Sequence, residues 1–246
     1  MNNIYRQVEE NMDALASKQV WWSNCATAEQ MAAARNGQLE LPLGIGKPVP
    51  EDWIVDLFEK NVLCLAGAGG LQAPLLASAG AKVTVIDISR KMLNNDVQMA
   101  EKYGLDIQIE HGNMTDLSRF ENQSFDLIVN PASLFYVPDV YMVFKECYRV
   151  LKPGGVLILA APNPIAYVCD YIESECGGYY KAVNRMPYSS LEHQSDGNWV
   201  EFGHTMEDYI GGQIACGFVI TGYIEDQQDD ITDLFFMTKA IKSPVI

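Results

Sequence analysis

Short apolar runs alternate along the chain with longer stretches in which apolar residues recur at helical spacing. The runs fall at residues 62–65, 82–86, 106–110, 124–130 and 156–160. The first of them carries no charge, as is typical of a strand covered on both faces. The stretches after the second and fourth runs, 89–103 and 140–151, predict helices. Strands that alternate with helices in this way predict an α/β fold with a largely parallel sheet.

Local signals add further helices outside this alternation. Apolar residues at helical spacing predict an N-terminal helix over 4–17. Thr27 with Gln30, and Thr205 with Asp208, match the capping box and predict helix starts close behind each threonine, the second helix ending at residue 216. We also expect a short helix over 51–59.

The first strand, the loop after it and the second strand form one βαβ unit. The loop contains Gly67, Gly69 and Gly70, where backbone without side chains can contact a ligand and helix N–H groups point towards it. Asp87 ends the second strand, where a carboxylate can accept two hydrogen bonds from a ribose. The unit predicts a ligand with a ribose and a polar or anionic tail, a description that fits nicotinamide dinucleotides, flavins and S-adenosylmethionine.

Three motifs resemble those of the class I S-adenosylmethionine-dependent methyltransferases, in particular the type 11 group. Residues 62–70 resemble motif I, hydrophobic-hydrophobic-D/E-hydrophobic-G-x-G-x-G, although Cys64 replaces the acid and Ala66 and Ala68 replace the first two glycines. Residues 124–130 contain the FDxI of motif IV, and the run L-K-P-G-G at 151–155 is a hallmark of the group. A dinucleotide fingerprint instead needs a third glycine, where this chain has Gln72.

The resemblance implies a fold and a division of the chain. The fold is a seven-stranded, mostly parallel Rossmann-like sheet with an antiparallel last strand inserted between the fifth and sixth, helices on both faces and a helical N-terminal cap. The implied parts are the cap at 1–60, a cofactor-binding core at 61–161, an insertion or substrate lid at 162–204, and a C-terminal helix with edge strands at 205–246.

The resemblance also implies S-adenosylmethionine as cofactor. The glycine-rich loop would admit the methionine part and Asp87 would bind the ribose. Asn113 stands where the group has an acid that accepts from the adenine amino group, and Met114 and Ile88 would lie near the adenine ring. The expected cofactor-binding residues are Ala66, Gly67, Ala68, Gly69, Gly70, Gln72, Asp87, Ile88, Ser89, Met92, Asn113, Met114, Asn130, Pro131 and Ser133.

The acceptor side is less specified. By the resemblance, Asn130, Ser133 and Tyr136 would border the transferred methyl group. Aromatic residues in the cap and the insertion suit a flat or apolar acceptor, with packing or a dimer surface as the open alternative. The expected substrate-binding residues are Trp22, Tyr136, Tyr167 and Tyr188, and the candidate bases are Tyr136, His193, His204 and Glu201.

Composition narrows the partners. The 246 residues carry a formal net charge of −15, which argues against nucleic acid as substrate because nucleic-acid binding needs a basic footprint. Six cysteines without a C-x-x-C pair, together with three histidines, predict free thiols of a reducing cytoplasm and no metal site. The sequence has no apolar run of membrane-spanning length and its N-terminus has no signal-peptide pattern.

These observations predict a cytoplasmic enzyme that transfers a methyl group from S-adenosylmethionine to an unidentified small molecule by in-line displacement. Two alternatives stay open. The departures at Cys64, Ala66, Ala68 and Asn113 would also suit a non-catalytic module that keeps the fold, and the βαβ unit with Asp87 would suit an NAD-dependent oxidoreductase. A homodimer is compatible with the tyrosine-rich insertion.

Overall fold

The computed structural model of the chain describes residues 3–18, 24–44, 46–54, 56–67, 69–174, 177–193, 199–227 and 233–243. Its strands are β1 (Asn61–Leu65), β2 (Lys82–Asp87), β3 (Ile107–His111), β4 (Phe125–Asn130), β5 (Leu151–Pro162), β6 (Cys169–Ile172), β7 (Tyr179–Ala182), β8 (Tyr188–Ser189), β9 (Phe202–Gly203), β10 (Phe218–Gln227) and β11 (Asp233–Lys242). Its helices are α1 (Asn3–Ser17), α2 (Ala28–Arg35), α3 (Gln72–Ser78), α4 (Arg90–Tyr103), α5 (Val140–Val150), α6 (Ile165–Val168), α7 (Ser190–His193) and α8 (Gly212–Ala215).

Seven strands form the central sheet in the order β10-β11-β5-β4-β1-β2-β3. The pairs of β1 with β2 and β4, of β2 with β3, and of β4 with β5 are parallel. Strand β11 is antiparallel to both β5 and β10 and lies between them. The predicted seven-stranded sheet with an antiparallel last strand is therefore confirmed.

Helices cover both faces of this sheet. Successive side chains of each strand point to opposite sides, and both sides carry apolar residues that the helices bury. On one face, Leu63 and Leu65 pack in a core that includes Phe144 of α5. On the other face, Val62 and Cys64 pack in a core that includes residues of α3 and α4. The β1 residues 62–65 are completely buried, as the uncharged run in the sequence predicts.

The predicted helix over 51–59 is wrong. Only a 3₁₀ turn forms at Glu51–Trp53, and Ile54 is already extended. The Asp56 carboxylate accepts a hydrogen bond from the backbone N–H of Phe58, and Glu59 has a φ of 59°. A local side-chain bond to the backbone competes with helix formation, so the chain enters β1 through a turn.

Both predicted capping boxes are present. Thr27 and Gln30 bond each other's backbone N–H groups at the start of α2. Thr205 and Asp208 do the same, but the turn they open is a wider π turn at Glu207–Gly211 that continues into α8. The capping box therefore predicts where the helical segment starts, but it does not predict that the first turn is a π turn.

Helix α1 lies across the carboxyl ends of β2 and β3. Its Glu9 carboxylate contacts Nε2 of His111 at 3.1 Å, and its Asp13 carboxylate accepts from the hydroxyl of Ser89. Its apolar face packs with Val200 and Phe202 in a separate cluster. The N-terminal helix and the segment that ends the insertion thus cover one edge of the sheet together.

Two small antiparallel sheets, β6 with β7 and β8 with β9, lie in the part of the chain predicted to be an insertion. The rings of Tyr167 and Tyr188 lie 5.3 Å apart, and both contact the position that a side chain at Gly203 would occupy. Among the described helices, none has both the length and the apolar character needed to cross a membrane.

A buried lysine ties the last strand to α5. Lys242 is 6% exposed, and its ammonium donates to the carbonyl oxygens of Tyr148 at 2.6 Å and Leu151 at 2.8 Å. These carbonyls lie at the C-terminal end of α5, where a helix has acceptors without intrahelical partners and favours a cation. The contact fixes the turn from α5 into β5.

We expect Lys242→Met to lower the free energy of unfolding by about 1–3 kcal/mol, because two buried carbonyls lose a charged donor. Urea denaturation measures this loss. Lys145→Met is the matched control, since Lys145 is exposed on α5 and its replacement should change stability by about 0.5 kcal/mol or less. An equal loss in both variants would contradict the role given to Lys242.

Candidate functional site

The loop after β1 is held against the protein at each of its described glycines. Gly69 and Gly70 have φ values of 83° and 95°, a left-handed conformation that favours glycine. A Cβ at Gly67 would lie 2.8 Å from the Val85 side chain, and one at Gly70 would lie 2.8 Å from Sγ of Cys25. The missing side chains let the loop pack on its neighbours, and the admission of a ligand by its backbone stays a prediction. Ala68 lies outside the described residues.

A cavity of about 480 Å³ opens beside this loop, at the carboxyl ends of β1, β2 and β4. Its walls include nine of the predicted cofactor residues: Ala66, Gln72, Asp87, Ile88, Met92, Asn113, Met114, Pro131 and Ser133. The other described cofactor residues of the prediction, Gly67, Gly69, Gly70, Ser89 and Asn130, are not part of the cavity wall. The hydroxyl of Ser89 instead caps α4 by accepting from the N–H of Met92.

Asp87 brings a carboxylate to the cavity. It ends β2, is 8% exposed, and its Oδ1 accepts from the backbone N–H of Ser89 at 2.8 Å. This bond orients the carboxylate at the carboxyl end of a central strand. In an α/β sheet that position faces the crevice where ligands bind.

Two buried amide oxygens near the cavity have no hydrogen-bond partner within the described part of the chain, Oε1 of Gln72 and Oδ1 of Asn130. Their amide nitrogens are committed, that of Gln72 to the carbonyl of Pro42 and that of Asn130 to the carbonyl of Leu65 and the hydroxyl of Ser133. Buried acceptors are rarely left without a donor.

Much of the cavity wall is apolar. Ile86, Ile88 and Met114 line it together with Asn113, whose side-chain oxygen accepts from the N–H of Thr115 at 3.0 Å. That bond fixes the side chain of Asn113 and leaves its oxygen a second lone pair. A flat ring between the apolar side chains could donate to this oxygen.

The structure places one candidate base, Tyr136, in the cavity wall and another, His204, outside it. Tyr136 lines the cavity, and burial, together with the nearby carboxylates of Glu201 and Asp87, raises the pKa of its phenol. His204 is buried and its Nε2 donates to the carbonyl of Val137 at 2.9 Å, while burial lowers its pKa. It therefore holds the turn that carries Tyr136 and does not line the cavity. The side chain of His193 lies outside the described residues.

The predicted substrate-binding residues also differ in whether they line the cavity. Tyr136 is in the cavity wall, whereas Tyr167 and Tyr188 pack on each other outside it. Tyr167 hydrogen-bonds the carboxylate of Glu201, and burial raises the pKa of that carboxyl despite the bond. Trp22 lies outside the described residues.

Several wall residues were missed by sequence reasoning. Tyr5, Val8 and Met12 of α1 line the cavity, as do Phe135 and Phe235. The sequence predicts an amphipathic helix in an N-terminal cap across the carboxyl edge of the sheet, but it does not identify these individual residues as part of the cavity wall. In the described part of the chain, no group of three or more His, Cys, Asp and Glu side chains is placed to hold a metal ion.

Behind the loop lies a second buried carboxyl, Asp96 of α4. It is 1% exposed, and its Oδ1 accepts from the backbone N–H of Gly70 at 2.9 Å. Burial, followed by the charge of Asp87, raises its pKa from the ordinary value of 3.8 to about 8. No sequence motif pointed to this residue.

The family model and the two relatives that follow are all described as methyltransferases. A family model described as "Methyltransferase domain" matches residues 63–159. A protein of Bacillus subtilis (strain 168), named uncharacterized methyltransferase YbaJ, is 40% identical over 226 residues, 88% of each chain. A ubiquinone biosynthesis O-methyltransferase of Xanthomonas oryzae pv. oryzae is 32% identical over 182 residues, 70% of this chain and 69% of that protein.

The fold also resembles that of a solved methyltransferase structure. The crystal structure of an S-adenosylmethionine-dependent methyltransferase from Mesorhizobium loti superposes with a TM-score of 0.67 at 20% identity. The match covers 77% of this chain and 94% of that one. At this identity the likeness shows the fold alone.

Because the pKa of Asp96 is raised in the folded protein, its contribution to the free energy of unfolding decreases as the pH rises. The unfolded chain loses the proton near pH 3.8 and the folded protein only near pH 8, so folding retains a proton in between. Stability contributed at low pH is therefore lost as the pH rises through this window. Asp96→Asn removes the titration, and we expect its stability relative to wild type to increase from about pH 4 to about pH 8. Denaturant unfolding at several pH values measures this, and a constant difference would contradict it.

Proposed function

The chain belongs to the class I S-adenosylmethionine-dependent methyltransferases, and from that premise we propose that it methylates a small, uncharged, largely apolar acceptor by in-line displacement. The cavity at the carboxyl edge of the sheet is the proposed site. The observation that carries the proposal is one cavity that joins an oriented carboxylate, Asp87, to largely apolar and aromatic walls.

The residues present fit S-adenosylmethionine. Asp87 has the position and the acceptor oxygens for ribose hydroxyls. Gln72 lines the cavity beside the glycine loop, where the methionine part would lie. Asn113, with Met114 and Ile88, suits adenine. The cavity wall thus has residues for each part of the cofactor.

The bound cofactor supplies a methyl group already activated by a sulfonium. The protein then has to align the acceptor atom with the methyl group and keep water out. Ser133 and Tyr136 stand in the wall where the chain leaves β4, as expected of residues that border the reacting atoms. Helix α1, anchored through Glu9 and Asp13, covers the cavity.

The lining chemistry supports an uncharged acceptor. Asp87 is the only carboxylate among the described wall residues, and none of those residues is Lys, Arg or His. A charged acceptor would lose hydration in such a cavity without gaining a partner, which is costly. Tyr5, Phe135 and Phe235 instead offer aromatic surface.

A screen for S-adenosylhomocysteine release with a panel of small molecules tests the proposal. Because one relative is named an O-methyltransferase, uncharged ring compounds with hydroxyl groups form the first set, and matched amines, thiols and carboxylates form the others. We expect turnover with uncharged apolar members. Turnover confined to carboxylates, phosphates or nucleic acid would contradict the proposed acceptor class.

We expect Asp87→Ala to weaken the binding of S-adenosylhomocysteine by about 1–3 kcal/mol, because the ribose loses charge-assisted hydrogen bonds. Isothermal titration calorimetry measures the dissociation constant. Asp106→Ala is the control, since Asp106 is exposed at the opposite end of β3. Unchanged affinity in Asp87→Ala would remove this residue from the site.

A further inference from the structure

The loop after β1 is held from two directions by parts of the chain outside its own βαβ turn. The N–H of Gly70 donates to Oδ1 of Asp96 on α4, and its carbonyl accepts from the N–H of Ala26 at 2.8 Å. Both backbone groups of one glycine are thus committed to the protein. The adjoining residues Ala66 and Gln72 line the cavity, so a shift of the loop would move the cavity wall.

Asp96 contributes the side chain that bonds Gly70. Its carboxyl is 1% exposed, its Oδ1 bonds the loop, and its Oδ2 has no partner within the described part of the chain. A buried carboxyl with one satisfied oxygen is expensive to maintain. Its presence therefore calls for a task that an apolar residue at this point of α4 would not perform.

That task is suggested by what β1 lacks. In the pattern that residues 62–70 resemble, β1 itself contributes an acid directly before the loop, whereas this chain has Cys64 there, fully buried. Burial is the main cause that raises the pKa of the Cys64 thiol, and the nearby carboxylate of Asp96 raises it further. The carboxyl that β1 does not provide is thus present beside the same loop, reached from α4.

We propose that Asp96 is a positioning residue for cofactor binding, which holds the Gly70 N–H and with it the loop that borders the methionine part of S-adenosylmethionine. It acts through the loop and does not line the cavity. A neutral amide at this position keeps an acceptor for Gly70, so Asp96→Asn should preserve the function. Asp96→Ala and the bulkier Asp96→Leu remove the acceptor and leave a buried N–H unpaired.

Two probes separate positioning from a general loss of structure. S-Adenosylhomocysteine contains the amino-acid tail that the loop is proposed to border, and 5′-methylthioadenosine lacks it. We expect Asp96→Ala and Asp96→Leu to weaken S-adenosylhomocysteine by about tenfold or more, and 5′-methylthioadenosine by less than about threefold. Asp96→Asn should keep both affinities within about threefold, as should the control Asn94→Ala, which alters an exposed residue of α4.

Calorimetry gives the affinities, and thermal unfolding verifies that each variant is folded. The inference is overturned if the Ala and Leu variants bind S-adenosylhomocysteine as wild type does, if both probes weaken equally, or if Asp96→Asn loses as much as Asp96→Ala. It rests on cofactor binding in the cavity. If wild type itself binds neither probe, the proposed function fails first, so the two failures are distinguishable.

Discussion

The structure depends on a loop of small residues being fixed between two neighbouring parallel strands. Gly70 is held at its N–H by Asp96 and at its carbonyl by Ala26, and its left-handed backbone turns the chain into α3. This fixes where Gln72 begins α3 at the cavity wall, in the same cavity as the carboxylate of Asp87. The position of the loop therefore sets the position of this part of the wall.

Much of the fold could be predicted because its signals are local. The uncharged run at β1, the Ser89 cap of α4 and the Gly104 that ends this helix each depend on residues within a turn of one another. The L-K-P-G-G run places the turn into β5, although the strand already begins at Leu151. The antiparallel position of β11 followed from the resemblance, and this strand also distinguishes the sheet from the one expected for the NAD-dependent alternative.

The rest depends on contacts between residues distant in sequence. Glu9 meets His111, and Cys25 meets the glycine loop, although no pattern links them. The same holds for Asp96, which is an isolated acid in an amphipathic helix until the fold places it behind Gly70. The close packing of the glycines on Val85 and Cys25 was likewise not predicted, because a sequence shows that side chains are absent but not which distant residues fill the space.

The central claim is that the cavity beside Asp87 binds S-adenosylmethionine. Calorimetric titration of the wild-type protein with S-adenosylhomocysteine, and separately with NADH, tests it most directly. The account predicts saturable one-to-one binding of S-adenosylhomocysteine and no measurable heat with NADH. Binding of NADH without binding of S-adenosylhomocysteine would contradict it.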